Sequence, residues 1–271
     1  MSLRIELDHN GHVWRAQGQP TDLSVPIDPH GGLPRAWYKG PPEVHVVRSD
    51  GWTGSVAEGG AVNFRDIRFN PHAHGTHTET HEHIHDAFDP IDAQVRSSAI
   101  PFVVPAFLLN ATPMLVDEDH VVPLSTLQAV QQQMETYKPA AIVIRTGFSS
   151  PLQDWSSTNP PYLESGFADL LCTFGIQHLL VDLPSVDKEI DGGALQAHNA
   201  FFGPSASPRP NATISELLHV PKSLRQGPGL LALQVSPFVN DAAPSRPVWC
   251  FYMKGTGHHP AHSWIFSPLF G

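Results

Sequence analysis

Two short apolar runs constrain the fold of this chain more than any other feature. AIVIRTG (Ala141 to Gly147) and HLLVD (His178 to Asp182) each read as a buried strand, the first ending in a turn. Between them, Tyr162 to Phe174 reads as a helix closed by Gly175 at a C-cap position. Strand, helix, strand implies a parallel pair joined by a crossover. Upstream, Pro123 to Tyr137 is the clearest helical pattern. Leu124, Leu127, Val130 and Met134 recur at steps of three and four, and Pro139 stops the run. ATISELL (Ala212 to Leu218), LLALQVSPF (Leu230 to Phe238) and VWCFYMK (Val248 to Lys254) read as further strands. The first 68 residues are rich in Pro, Gly and Trp and read as loops and short strands. No internal repeat or low-complexity linker is visible. The expectation is a single α/β domain over residues 1–271, with a mixed β-sheet flanked by helices.

Composition narrows the function. With 271 residues, 41% hydrophobic and 15% charged, a packed core is expected rather than disorder. A formal net charge of -10 and the lack of a basic run argue against a nucleic-acid partner. Cys172 and Cys250 are too few for a disulfide scaffold or a thiolate zinc site. The opening MSLRIELDHNGH has no apolar signal segment. The most apolar stretch, AIPFVVPAFLLNATPMLV, is cut by Pro101, Pro105 and Pro113 and makes a poor membrane helix. A soluble cytoplasmic protein with no membrane partner is the expectation.

The chemistry concentrates between Phe69 and Phe88, FNPHAHGTHTETHEHIHDAF. His72, His74, His77, His81, His83 and His85 are six of the 17 histidines, and Glu79, Glu82 and Asp86 lie among them. Imidazole and carboxylate together suit Zn, Mn, Fe or Ni. On a strand, His77, Glu79, His81, His83 and His85 would share a face. On a helix, His77 would pair with His81 and His81 with His85. His81-Glu82-His83-Ile84-His85 also fits H-E-x-x-H, the helical zinc-peptidase motif, which needs an apolar back face that Ile84, Ala87 and Phe88 supply only thinly.

Pro71-His72-Ala73-His74-Gly75-Thr76-His77-Thr78-Glu79-Thr80-His81-Glu82-His83 resembles P-H-x-G-T-H-x-D-x-P-x-H, the motif of the cyclase family of metal-dependent hydrolases, which includes bacterial kynurenine formamidase and isatin hydrolase. Gly-Thr-His matches, as does His83 six residues later. One extra residue separates His72 from Gly75, Glu79 stands for the family's Asp, and His81 stands for its Pro. Further blocks follow in the family's order. Asp22-Leu23-Ser24 resembles D-[IL]-S, Ile144-Arg145-Thr146-Gly147 the strand ending in R-T-G, and Asp182-Leu183-Pro184-Ser185-Val186-Asp187 the block D-T-P-S-V-D. Ala197-His198 sits where the family has A-H-H. Ile214-Ser215-Glu216-Leu217 resembles I-L-E-N-L, and Pro244-Ser245-Arg246-Pro247-Val248 resembles P-x-R-A-V. The chain reads as a divergent member.

The resemblance implies His72, His77, Glu79, His198 and Glu216 as ligands of one or two divalent ions, Zn or Mn, with His83 as general acid/base. His74 is the rival to His72, because the extra residue disturbs the spacing. His81 and His85 are expected as bystanders or supports, with Glu82, Asp86, Asp182 and Asp187 as carboxylates able to orient a metal-bound imidazole. Trp37, Tyr38 and Phe88 could form an aromatic wall for substrate, against the plain reading that they are core. The implied activity is arylformamidase-like hydrolysis of an amide or cyclic amide C–N bond in a small molecule, by a homodimer or homotetramer. A non-catalytic metal-binding protein and an H-E-x-x-H zinc peptidase are the competing readings.

Overall fold

A computed structural model describes residues 3–9, 11–86 and 89–252. Eight strands make the central sheet: β1 (Thr21–Asp22), β2 (His77–Thr80), β3 (Val103–Asn110), β4 (Ala141–Arg145), β5 (His178–Val181), β6 (Thr213–Glu216), β7 (Gly227–Val235) and β8 (Ala242–Phe251). Their order is β7-β3-β4-β5-β6-β2-β8-β1, and β7 also pairs with β8, so the ladder closes into a ring of seven strands with β1 on its outside. β3, β4, β5 and β6 run parallel, and the remaining pairings are antiparallel. The mixed sheet and the parallel β4–β5 pair agree with the sequence reading.

Both faces of the parallel strands are covered, which is why they read as continuous apolar runs rather than as alternating ones. Val104, Ala106, Leu108, Ala141, Val143 and Leu180 belong to one core with Leu231, Leu233 and Trp249. Their neighbours Phe107, Leu109, Ile142, Ile144, Leu179 and Val181 belong to a second core. That second core takes up the buried faces of α2 (Leu124–Gln128), α3 (Gln131–Tyr137), α4 (Phe167–Thr173) and α5 (Gln196–Phe202), and a short α1 (Ile91–Arg96) sends Ile91 into the first.

Three boundaries stand out against the sequence reading. The run Pro123 to Tyr137 is two helices, because Val130 leaves helical geometry (φ -109°, ψ 8°) while still burying its side chain. The crossover helix begins at Phe167 rather than Tyr162. Tyr162 and Leu163 instead pair with Val121 and Val122 as a short parallel strand, and Gly166 turns at φ 82°. Strand β8 begins six residues before Val248, since Ala242 to Pro244 pair with β2 while Ser245 to Phe251 pair with β7. The apolar stretch weighed as a membrane helix contains strand β3. Among the described residues no helix is long and apolar enough to cross a membrane.

Candidate metal centre

Strands β2 and β6 build the floor of the site. They pair antiparallel with His77 opposite Glu216 and Glu79 opposite Ile214. Side chains alternate along a strand, so His77 and Glu79 share one face and Glu216 joins them across the ladder. His77 Nε2 lies 3.5 Å from Glu216 Oε2. From α5, His198 brings Nε2 to 2.9 Å from Glu79 Oε1 and 3.9 Å from Glu216 Oε1. His72, in the turn before β2, places Nδ1 3.2 Å from Glu79 Oε2. His83, in the 3-10 turn His81–His83 that follows β2, stacks on the His72 ring at 4.3 Å and puts Nε2 3.7 Å from Glu79 Oε2. Glu79 is thus central, with one oxygen toward His198 and the other toward His72 and His83.

The Gly75-Thr76-His77 core has a physical basis. A Cβ on Gly75 would meet Ile27 Cγ1 at 2.9 Å and the Val25 carbonyl at 3.0 Å, so the loop after β1 approaches too closely for any side chain. Thr76 Oγ1 accepts from the Val25 N–H (2.7 Å) and donates to the Leu217 carbonyl (2.6 Å). That second bond holds Leu217 left-handed (φ 56°), next to Glu216. His77 then follows as the first residue of β2.

Carboxylates behind the rings fix them further. Asp187 Oδ2 lies 2.6 Å from His198 Nδ1, and the same carboxylate accepts the Ala197 and His198 backbone N–H groups. This is the carboxylate–imidazole backing expected of a metal-binding histidine. Asp241 Oδ2 lies 3.0 Å from His72 Nε2 and 2.8 Å from His83 Nδ1. Asp241 was not foreseen from sequence.

The electrostatics are those of tightly paired ions. Burial opposes charge on His72, but Asp241 and Glu79 outweigh it and raise the ring to about 10. Burial likewise opposes charge on His198, and Glu79 and Asp187 raise it well above the ordinary histidine value. Burial also disfavours the Glu79 and Asp241 carboxylates, yet the surrounding imidazoles hold both below their usual range.

These residues fit a divalent cation. His77 Nε2 and Glu79 Oε2 are buried and have no hydrogen-bond partner, the approach of His72 to Glu79 Oε2 being misaligned for one. Unpaired buried polar atoms are costly, and a shared cation removes that cost. Among the described residues three groups hold ligand atoms within 4.8 Å of one another: His72, His77 and Glu79; His72, His83 and Asp241; Glu79, His83 and His198.

The other foreseen residues lie elsewhere. His74 points away, since Nδ1 accepts the Asn70 N–H (2.9 Å) and Nε2 reaches the Gly40 carbonyl (2.8 Å). His81 is buried with its Nδ1 3.9 Å from Asp89, and His85 reaches the Gly203 carbonyl (2.9 Å) and Ser205 (3.0 Å). The helix that H-E-x-x-H requires does not form, because β2 gives way to a single 3-10 turn that aims His81 toward Asp89 and His85 toward the Gly203 carbonyl. Glu82 hydrogen-bonds the Asp89 backbone, and Asp86 is exposed. Asp182 holds the Thr146 and Gly147 turn through their N–H groups. Trp37 donates from Nε1 to the His72 carbonyl (3.1 Å), so it buttresses the turn that carries a site histidine, while Tyr38 is exposed. Phe88 lies outside the described residues. A cavity of about 460 Å³, lined by Met114, Val116, Leu163 and Lys188 among others, meets the centre only at Asp187 and Ala197.

The model of the Cyclase family matches residues 21–188. The chain belongs to the Cyclase family. No curated protein matches it. Among solved structures, the chain resembles isatin hydrolase A from Labrenzia aggregata bound to benzyl benzoate, at 12% identity and TM-score 0.60 over 86% of this chain and 93% of that one. Isatin hydrolase A from Ralstonia solanacearum gives 13% identity and TM-score 0.57 over 86% and 91%. A protein described as a "potential metal-dependent hydrolase with cyclase activity" gives 15% and 0.55 over 86% and 97%. At such identities these likenesses establish the shared fold.

Proposed function

We propose that this protein hydrolyses the C–N bond of an amide or cyclic amide in a small molecule, using one or two divalent ions, Zn or Mn. The convergence of His72, His77, Glu79, His198 and Glu216, brought together from β2, β6, α5 and the turn before β2, carries the reading. His72, His77 and Glu79 would hold one ion, and Glu79, His198 and Glu216 a second. A bound ion supplies a water of pKa about 7 and polarises the carbonyl under attack. His83, its side chain 30% exposed, is the ring substrate can reach. Its Nε2 takes the attacking water's proton and returns it to the leaving nitrogen. Asp187 keeps His198 oriented, and Trp37 holds the His72 turn.

Isatin and N-formylkynurenine are the first substrates to try, with ring opening or formate release as the readout. His83→Ala should keep its metal and lose about 10²- to 10⁴-fold in turnover. Undiminished turnover in that variant would sink the role of His83. No turnover of either compound with saturating Zn or Mn would remove those substrates. A metal buffer would instead hold several weak ions that survive His198→Ala. A homodimer or homotetramer is proposed on the family resemblance, and light scattering reads it.

A further inference from the structure

Asp241 stands at the end of the β7–β8 connection, and its carboxylate touches both a proposed ligand and the proposed acid/base. One oxygen, Oδ2, serves His72 Nε2 at 3.0 Å and His83 Nδ1 at 2.8 Å, while the two rings stack at 4.3 Å. An ionised carboxylate only accepts hydrogen bonds. Each ring nitrogen facing it therefore carries the hydrogen. In a neutral imidazole the opposite nitrogen is then the bare one. For His72 that is Nδ1, 3.2 Å from Glu79 Oε2, and for His83 it is Nε2, 3.7 Å from the same oxygen. Both lone pairs point into the centre.

We propose that Asp241 is a positioning residue that sets the tautomers of His72 and His83 together, leaving His72 Nδ1 free to bind a cation and His83 Nε2 free to take a proton. The role rests on the hydrolase reading for its purpose, but the tautomers can be read without substrate. It demands different forms of the two rings: His72 protonated at Nε2, His83 at Nδ1. The Nδ1–H form is the less favoured one for free histidine, so His83 is the sensitive reporter. Asp241 is also well placed to be varied without unfolding the chain. Its backbone carbonyl accepts the Thr80 N–H (3.0 Å), extending the β2–β8 ladder, and the Asn240 carbonyl accepts the Ile91 N–H (2.9 Å). A side-chain change leaves those bonds in place.

The test is long-range ¹⁵N–¹H NMR on histidine-labelled, zinc-saturated protein at alkaline pH, alongside metal analysis. The wild type should show His83 as Nδ1–H. Asp241→Ala should shift His83 toward Nε2–H and weaken zinc about 10- to 100-fold, with the number of ions at saturation unchanged. Asp241→Asn, which keeps an acceptor oxygen but no charge, should retain the Nδ1–H form. An Nε2–H ring in the wild type, or a tautomer indifferent to Asp241→Ala, would overturn the proposal. So would an ion missing from Asp241→Ala at saturating zinc, since Asp241 would then be a ligand. Failure of every candidate substrate would leave these spectra unaffected, which keeps the two readings apart.

Discussion

The pairing of the site predicts how metal binding depends on pH. In the metal-free chain His72 holds its second proton up to about 10, against an ordinary value of 6.5, and its side chain is only 18% exposed. A cation arriving at Nδ1 must displace that proton, while Nε2–H stays on Asp241. At pH 7 the displacement spans about 3 pK units, so it costs about 4 kcal/mol of intrinsic affinity. His198, raised well above its ordinary value by Glu79 and Asp187 against the effect of burial, must release a proton from Nε2 as well. With two protons displaced, log K rises about two per pH unit, and zinc should bind about 10⁴-fold more weakly at pH 6 than at pH 8. Competition with a chromophoric chelator at pH 6, 7 and 8 measures the slope. The metal-free fold should show the opposite trend. Groups with raised pKa values stabilise fully below 6.5 and lose that contribution as pH climbs, for His72 through about 10. Glu79 and Asp241, lowered from 4.5 and 3.8, contribute above those values and lose it in acid. Chelated protein should thus melt lower at pH 9 than at pH 7, while zinc-loaded protein keeps its Tm. A slope below one, or a chelated Tm that rises with pH, would refute the paired-ion reasoning.

Two substitutions test the placement of the motif. His72→Ala should lower zinc affinity at least tenfold, whereas His74→Ala, which loses only bonds to Asn70 and Gly40, should leave zinc binding within about twofold and show instead as a Tm loss from about 1–3 kcal/mol of buried hydrogen bonding; equal loss of zinc in both would show that the His72 position is wrong. Gly75→Ala should cost about 1–3 kcal/mol by denaturant unfolding, because its Cβ would press on Ile27 and the Val25 carbonyl. An unchanged midpoint would mean that the loop after β1 moves freely.

Much of the fold was legible because burial on both faces writes itself as apolar runs. Ala141 to Ile144 and His178 to Val181 needed no further cue. The errors fell where one residue answers two demands. Val130 keeps its step in the helical pattern, since its side chain is buried, yet its backbone has left the helix. Tyr162 and Leu163 carry helical spacing, but Val121 and Val122 offer them a strand edge and the Leu163 N–H goes to the Val186 carbonyl. Periodicity reports where side chains point and is silent on which backbone groups they bring together.

The site divides along the same line. His77 and Glu79 lie two apart on one strand, so their convergence is a local fact that sequence can carry. His72 against His74 was open at the level of sequence, because both follow from a turn whose shape depends on distant atoms. Asn70 and the Gly40 carbonyl take both nitrogens of His74, whereas His72 bonds Asp241 through Nε2 and turns Nδ1 toward Glu79. Asp241 lay beyond reach altogether. It sits 158 residues from His83, in a turn flanked by Asn240 and Ala242 that looks like any other polar turn. What brings it to the rings is register: Ala242 pairs with Glu79, which puts Asp241 one step beyond, beside Thr80 and the start of the His83 turn. A shift of one residue in that pairing would turn the alternate face of β8 toward the site. The proposed base is therefore oriented by a strand pairing that belongs to the closed ring of the sheet.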